Sequence, residues 1–376
     1  MPGIEPVWAG SGRNCMSQYQ NAGGVIGGMF ALHEPTEKRL EARFYSRSGI
    51  PAASSPLPSP GAESVFLANA RSGIALLVET LSPPQVWLPS FLCSTMVEPS
   101  GRGSSRVRFY EIDYDLEMAS HDWMSEICEG DLVIMIAYFG VPVNALSITR
   151  VKSRGAWVLE DACQAMLSQG VGQRGDFVLF SPRKIMGVPD GGILCAKEPL
   201  DWDRQLQPAP KQWQLQCLAA SLQRRDFDNG CGGSHWYQTY KAVDETHPCG
   251  RYAMSELSLA LLQNCIDFEE IARRRVENFR CLQGRLADYA LIPELPAGVV
   301  PHGFPVRLRQ RDRVKEGLCA QKIFPPVHWP ISGIVPESFS ESHRLAGDLM
   351  TLPCDQRYGP EEMLRMAEAV LTLNQC

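Results

Sequence analysis

This 376-residue sequence is short of several signals that would assign a function quickly. It has no lysine- or arginine-rich run and its net charge is −6, so it carries no basic footprint for nucleic acid. The triplet Arg273-Arg274-Arg275 lies beside Glu269, Glu270 and Glu277 in a helical pattern, which reads as a solvated helix face. The longest uncharged run, residues 132–149, is broken by Gly, Pro and Asn. It reads as a buried strand entering a loop, and no contact with a membrane is expected. The opening "MPGIEPVWAGSGRNC" has no basic segment followed by an apolar core, so no secretory leader is expected. There are thirteen cysteines, but no C-x-x-C pair and no Cys/His cluster with zinc spacing. An odd number of scattered thiols fits a reducing cytoplasm better than a disulfide framework, and no metal site is expected. "GGVIGG" (23–28) lacks the Gly-Lys-Ser/Thr ending of a phosphate loop.

What is present is an alternation. Residues 1–28 are polar and glycine-rich and read as a flexible arm. Residues 34–47 read as a helix, and 49–62 as a Pro/Ser-rich loop. From residue 64 short apolar runs alternate with helical stretches. Strands are expected at 64–70, 85–89, 106–113, 131–140, 155–162, 176–181 and 192–197, with helices at 72–81 and 90–99. Such a pattern implies an α/β fold whose mostly parallel sheet is covered by helices on both faces. Residues 201–250 show no readable period. Residues 255–289 read as one long amphipathic helix with Leu257, Leu261, Phe268, Ile271, Val276, Phe279, Leu282 and Leu286 near one stripe. The expected division is an arm (1–28), a large α/β domain (29–248) and a smaller α+β C-terminal domain (249–376).

Polar residues then stand out at the ends of buried strands. In "LFSPRKIMGVPDGGIL" (179–194), Lys184 sits between two apolar runs. A desolvated lysine loses its proton more easily and is a good nucleophile for a Schiff base with a carbonyl compound. "VLEDACQA" places Asp161 at another strand end, with Gln164 three residues on. "ANARSGIAL" places Ser72-Gly73-Ile74 at a helix start, where backbone N–H groups favour an anion. Ligands of open α/β sheets bind at the carboxyl ends of the strands. An amine, a carboxylate and an anion cradle are what pyridoxal phosphate requires.

From about residue 64 onward the chain resembles the DegT/DnrJ/StrS family of sugar aminotransferases. The resemblance rests on "NARSGIALLVETL", "VWLPSFLCSTMVEP", "VLEDACQA", "RKIMGVPDGGIL", "YAMSELSLALLQ" and "LMTLPCDQRY", taken in order. It implies a fold-type I aminotransferase architecture, pyridoxal phosphate as cofactor, and a cytoplasmic homodimer with a shared active site. It implies Lys184 as the lysine that binds the cofactor, Asp161 as the acid facing the pyridine nitrogen and Gln164 as a partner near the ring hydroxyl. Phe91 falls at a ring-stacking position, and Ser72, Gly73 and Ile74 at the phosphate-binding helix start. The sequence departs from the family at Ile74, where a hydroxyl residue is usual, and at Leu179, where the phosphate serine is usual. Ser181 is the expected substitute. Arg251 aligns with an asparagine contributed across the dimer and is the residue expected to bring positive charge to the phosphate from the partner subunit, and Ala253 replaces an arginine. The implied reaction moves an amino group from glutamate or glutamine to a nucleotide-linked keto-sugar. The same residues leave two other readings open: pyridoxal phosphate chemistry on a non-sugar substrate, and a non-catalytic regulator or partner protein of this fold.

Overall fold

The computed structural model describes residues 24–33, 64–198 and 205–375. Of the expected arm (1–28), residues 1–23 lie outside the described residues, as do the helix expected at 34–47 and the loop at 49–62; Ile26–Gly27, expected in the flexible arm, are instead a buried strand paired with Ile323–Phe324. The strands are β1 (Ile26–Gly27), β2 (Ser64–Leu67), β3 (Gln85–Pro89), β4 (Arg106–Tyr110), β5 (Leu132–Ile136), β6 (Trp157–Asp161), β7 (Phe177–Phe180), β8 (Gly192–Ala196), β9 (Gln207–Pro208), β10 (Tyr252–Ala253), β11 (Phe304–Arg307), β12 (Ile323–Phe324) and β13 (Leu349–Leu352). The helices are α1 (Ala70–Leu81), α2 (Val97–Ser100), α3 (Ala145–Lys152), α4 (Lys211–Asp228), α5 (His235–Glu245), α6 (Glu256–Asn264), α7 (Phe268–Leu286), α8 (Arg311–Ala320), α9 (Ser340–Asp348) and α10 (Pro360–Gln375).

A nine-stranded sheet in the order β4-β3-β5-β6-β7-β8-β2-β10-β9 forms the centre. From β4 to β7 neighbouring strands run parallel, whereas β8 and β2 are antiparallel to their neighbours. Strand β5, Leu-Val-Ile-Met-Ile, is buried at every position, as a strand covered on both faces should be. The core around it runs from Val65 and Leu76 through Trp87, Ile134 and Leu159 to Leu194. A second core joins α7, α8 and α10 to the β11–β13 pair through Phe279, Leu282, Phe304, Val314, Met350 and Met366. Among the described residues, no helix is long and apolar enough to cross a membrane.

Several details depart from the expected pattern, among them the helix expected over 90–99, which forms only a 3-10 turn at Ser94–Met96 running into α2. The helix expected over 255–289 is two helices: α6 ends at Asn264, and Asp267 starts α7 by accepting from the Glu270 N–H at 3.1 Å. Arg273 and Arg274 pair with Glu270 on the solvated face as expected, but Arg275 turns inward and is 1% exposed. Residues 201–250 contain α4 and α5, which pack on each other and whose period is hidden because Ser221 and Arg224 lie on the buried face of α4. Strand β10 joins the large sheet beside β2, and β1 pairs with β12.

Candidate functional site

Strand β7 ends at Phe180, and Pro182 opens a single tight turn whose fixed φ and missing N–H suit a helix start. The Lys184 N–H donates to the Ser181 carbonyl at 3.0 Å, which presents Lys184 at the carboxyl end of the strand. Asp161 is the last residue of the neighbouring strand β6 and is 6% exposed, its Oδ1 accepting the Cys163 N–H at 3.0 Å. Lys184, Asp161, Cys163, Gln164 and Ser181 all line one cavity of about 1030 Å³. Burial disfavours the Lys184 ammonium, but Cys163, Asp161 and Cys93 around it leave its pKa raised. Burial, then Asp161, also pushes the Cys163 thiol well up, so the Asp161 carboxylate is the neighbour that supports the ammonium. The expectation that desolvation alone would free the amine is therefore corrected: the neighbouring acid outweighs it.

The helix starts two residues earlier than expected. Helix α1 begins at Ala70, with Asn69 as N-cap accepting the Ser72 N–H at 3.0 Å. Asn69, Ala70, Arg71 and Ile74 line the cavity. Ser72 turns away from it, its Oγ donating to the Pro248 carbonyl at 3.4 Å and accepting the Gly250 N–H at 3.3 Å. Gly73 faces Leu179, whose Cδ1 would lie 2.6 Å from an added Cβ. Gly192 of the Asp-Gly-Gly run lets β8 approach this helix start, because a Cβ there would sit 2.3 Å from the Asn69 carbonyl carbon.

The other expected residues divide. Gln164 lines the cavity and accepts the Phe139 N–H at 2.9 Å through Oε1, holding a non-glycine residue with φ 52°. Ser181 lines the cavity and is 2% exposed. Phe91 does not line it. Its ring is core, 5.4 Å from Trp329 and 5.9 Å from Tyr138, and Trp329 is among the aromatics that line the cavity in its place. Arg251 does not line this chain's cavity either, and its Nε lies 3.3 Å from Glu79.

Sequence reasoning missed two groups. Arg71 and Arg183 line the cavity, and both reach Asp244 Oδ1 on α5, at 3.5 and 3.4 Å. Arg183 adjoins Lys184 in the motif, which was a usable signal, whereas Asp244 and His247 sit in the segment without a period. His302, His328 and Trp329 line the cavity as well. His328 Nδ1 lies 2.8 Å from Thr351 Oγ1, and its ring is 5.6 Å from that of His302. Burial, then Lys184, pushes the His328 pKa down to about 3. Burial, then His328, Arg275 and Lys184, holds His302 well below the usual histidine range. Both are neutral imidazoles, and their scarcity in this sequence and their position in proline-flanked segments were the only signals for them.

The arrangement supplies a nucleophilic amine, a carboxylate beside it, a cationic end at a helix start, and a neutral polar wall. A model of the DegT/DnrJ/EryC1/StrS aminotransferase family matches residues 128–371. A UDP-N-acetyl-3-dehydro-alpha-D-glucosamine 3-aminotransferase of Acidithiobacillus ferrooxidans is 26% identical over 263 residues, a match that spans 63% of this chain and 63% of that protein. The chain thus matches under two thirds of that relative's length. The aminotransferase TlmJ of Streptoalloteichus hindustanus superposes with a TM-score of 0.66 at 19% identity, covering 94% of this chain and all of TlmJ. Spr1654 of Streptococcus pneumoniae, in a PLP form, superposes with a TM-score of 0.65 at 16% identity, covering 93% and 99% of the two chains.

Proposed function

The chain belongs to the DegT/DnrJ/EryC1/StrS aminotransferase family, and from that premise we propose that it is a pyridoxal phosphate-dependent aminotransferase acting on a nucleotide-linked keto-sugar, with glutamate or glutamine as donor. The observation that carries the reading is the meeting of Lys184 and Asp161 in one cavity, with Arg71 and Arg183 lining it too. The residues fit the cofactor: an amine for its aldehyde, a carboxylate for its pyridine nitrogen and cations for its phosphate. When bound, pyridoxal phosphate acts as an electron sink that stabilises negative charge at the donor α-carbon.

In this reading Lys184 anchors the cofactor and, once released from it, moves a proton between the donor α-carbon and the cofactor as general acid and base. Asp161 favours the protonated pyridine nitrogen, because an anion beside a cation stabilises it. Gln164, which lines the cavity, also fixes the Phe139 turn through the 2.9 Å bond to its N–H. Asp190 holds the loop after Lys184, with its carboxylate accepting the Ser255 N–H at 3.1 Å and the Ser255 hydroxyl at 2.7 Å. His302, His328 and Trp329 line the same cavity as Lys184. Neutral imidazoles exchange hydrogen bonds with sugar hydroxyls without demanding a counter-charge, and an indole ring packs on a sugar's C–H face. The division into a large domain (29–248) and a small domain (249–376) rests on the sequence pattern, the cytoplasmic setting on the scattered thiols and the homodimer on the family resemblance, and all belong to the same proposal.

The test is spectroscopic. The purified protein should develop visible absorbance with pyridoxal phosphate and lose it on adding glutamate or glutamine. It should then recover the absorbance on adding a nucleotide-linked keto-sugar. A protein that takes up no cofactor would favour a non-catalytic role, and one that responds only to other keto compounds would displace the sugar.

A further inference from the structure

We infer that the anionic end of the cofactor is gripped within a single chain by Arg71 and Arg183, held in register by Asp244, so that the partner subunit's loop is not the source of positive charge there. The inference rests on the cofactor reading above. Four observations meet at this end of the cavity.

Arg71 and Arg183 line it, each with 21% of its side chain exposed, and their Nη2 atoms lie 3.5 and 3.4 Å from the same oxygen, Asp244 Oδ1. Asp244 is 10% exposed, in the last turn of α5. His247 Nδ1 is 3.8 Å from that oxygen and 2.7 Å from the Val243 carbonyl. Burial, then Arg183 and Arg71, pushes its pKa down, so it adds no charge. Tyr240 and Asp244 counter the burial of Arg183 and raise its pKa, so that guanidinium stays charged.

Two guanidiniums therefore share one carboxylate, leaving a net positive charge beside the start of α1. Glu245 also lines the cavity, but it lies exposed. Asn69 and Ala70 line the same end, with Ser181 nearby along the wall, so the helix dipole and a hydroxyl add to the attraction. Guanidinium forks suit a phosphate dianion, and a carboxylate that holds two of them apart pre-aligns both. Arg251, the candidate for supply from a partner, is already paired with Glu79 of its own chain at 3.3 Å.

The experiment compares binding of pyridoxal phosphate and of pyridoxal, which lacks the phosphate, to the full-length apo-protein by absorbance titration. Arg71→Gln and Arg183→Gln should each weaken pyridoxal phosphate at least tenfold and leave pyridoxal nearly unchanged. Arg251→Ala should leave both unchanged. Asp244→Asn should lower the preference for the phosphorylated form, because the arginines lose their alignment. Circular dichroism checks that each variant is folded. The inference is overturned if both arginine variants keep the wild-type preference, if Arg251→Ala abolishes it, or if Asp244→Asn strengthens it. A wild-type protein that binds neither compound overturns the cofactor reading itself.

Discussion

Arg275 donates from Nη2 to the carbonyl of Ile185 at 3.1 Å, so a buried side chain from α7 grips the residue next to Lys184. Its Nη1 reaches the carbonyls of Pro301 and His302 at 3.1 and 3.0 Å, and its Nε donates to Gln356 Oε1 at 2.9 Å. Gln356 in turn donates to the same Ile185 carbonyl at 2.8 Å. One guanidinium thus joins the lysine turn, the histidine wall and the C-terminal segment. Arg275→Met strands several buried carbonyls, each at about 1–3 kcal/mol. It should lower unfolding free energy by several kcal/mol in urea titrations. Arg275→Lys should recover little, because an ammonium cannot span the fork. Near-wild-type stability of Arg275→Lys would count against this role.

The raised pKa of Lys184 makes cofactor uptake pH-dependent. The neutral amine is the nucleophile, and a pKa above the usual lysine value keeps it scarce at neutral pH. Uptake of pyridoxal phosphate by apo-protein should therefore accelerate as pH rises. Asp161→Asn removes the carboxylate that supports the ammonium, so its uptake profile should shift to lower pH. Stopped-flow absorbance across pH 7–10, a range of about three units around ordinary amine titration, reads this directly. Identical midpoints for the two proteins would contradict the coupling.

His328 and His302 make stability depend on pH in a defined direction. Both are depressed in the folded protein, His328 from 6.5 to about 3. A depressed folded pKa gives stability that is present above pH 6.5 and lost as pH falls from 6.5 toward about 3. Each such histidine contributes a slope of at most about 1.4 kcal/mol per pH unit in that window. His328→Gln should flatten the fall in unfolding free energy between pH 6.5 and 4.5, a window set by ordinary histidine and carboxylate titration. An unchanged slope would mean that His328 protonates freely in the folded state.

Gln164 has a structural duty that is separable from the cofactor. Gln164→Ala leaves the buried Phe139 N–H without its acceptor at a residue with φ 52°. A loss of about 1–3 kcal/mol is expected in the apo-protein. Apo-protein stability equal to wild type would show that the Phe139 turn does not depend on this bond.

The sheet was legible because its strands are apolar runs ended by turn residues, and Lys184 was legible because Pro182 and the Asp-Gly-Gly run bracket it. The helix start was misplaced because Ser72-Gly73 resembles a phosphate motif more than Asn69 does, although Asn69 is the N-cap and Asn and Ser cap equally well. Arg275 was missed because its neighbours Arg273 and Arg274 belong to the solvated face, and three consecutive arginines hide one that turns inward. Helices α4 and α5 were unreadable for a related reason: buried Arg224 carries its polarity into the core, donating to the Gly27 carbonyl at 3.0 Å and stacking over Trp236 at 4.6 Å. Asp244 follows from that hairpin, so the cationic end of the cavity was out of reach until the hairpin was seen. His302 and His328 reach Lys184 through tertiary packing across more than a hundred residues, which no local pattern records.

The central claim is that Lys184 is the residue to which the cofactor attaches. Borohydride reduction of the loaded protein, followed by peptide mapping, tests it most directly. The account predicts a pyridoxyl group on Lys184 and no label above background in Lys184→Ala, with the variant still folded by circular dichroism. A label on another lysine of the wild-type chain, or equal labelling of the folded Lys184→Ala variant, would contradict it.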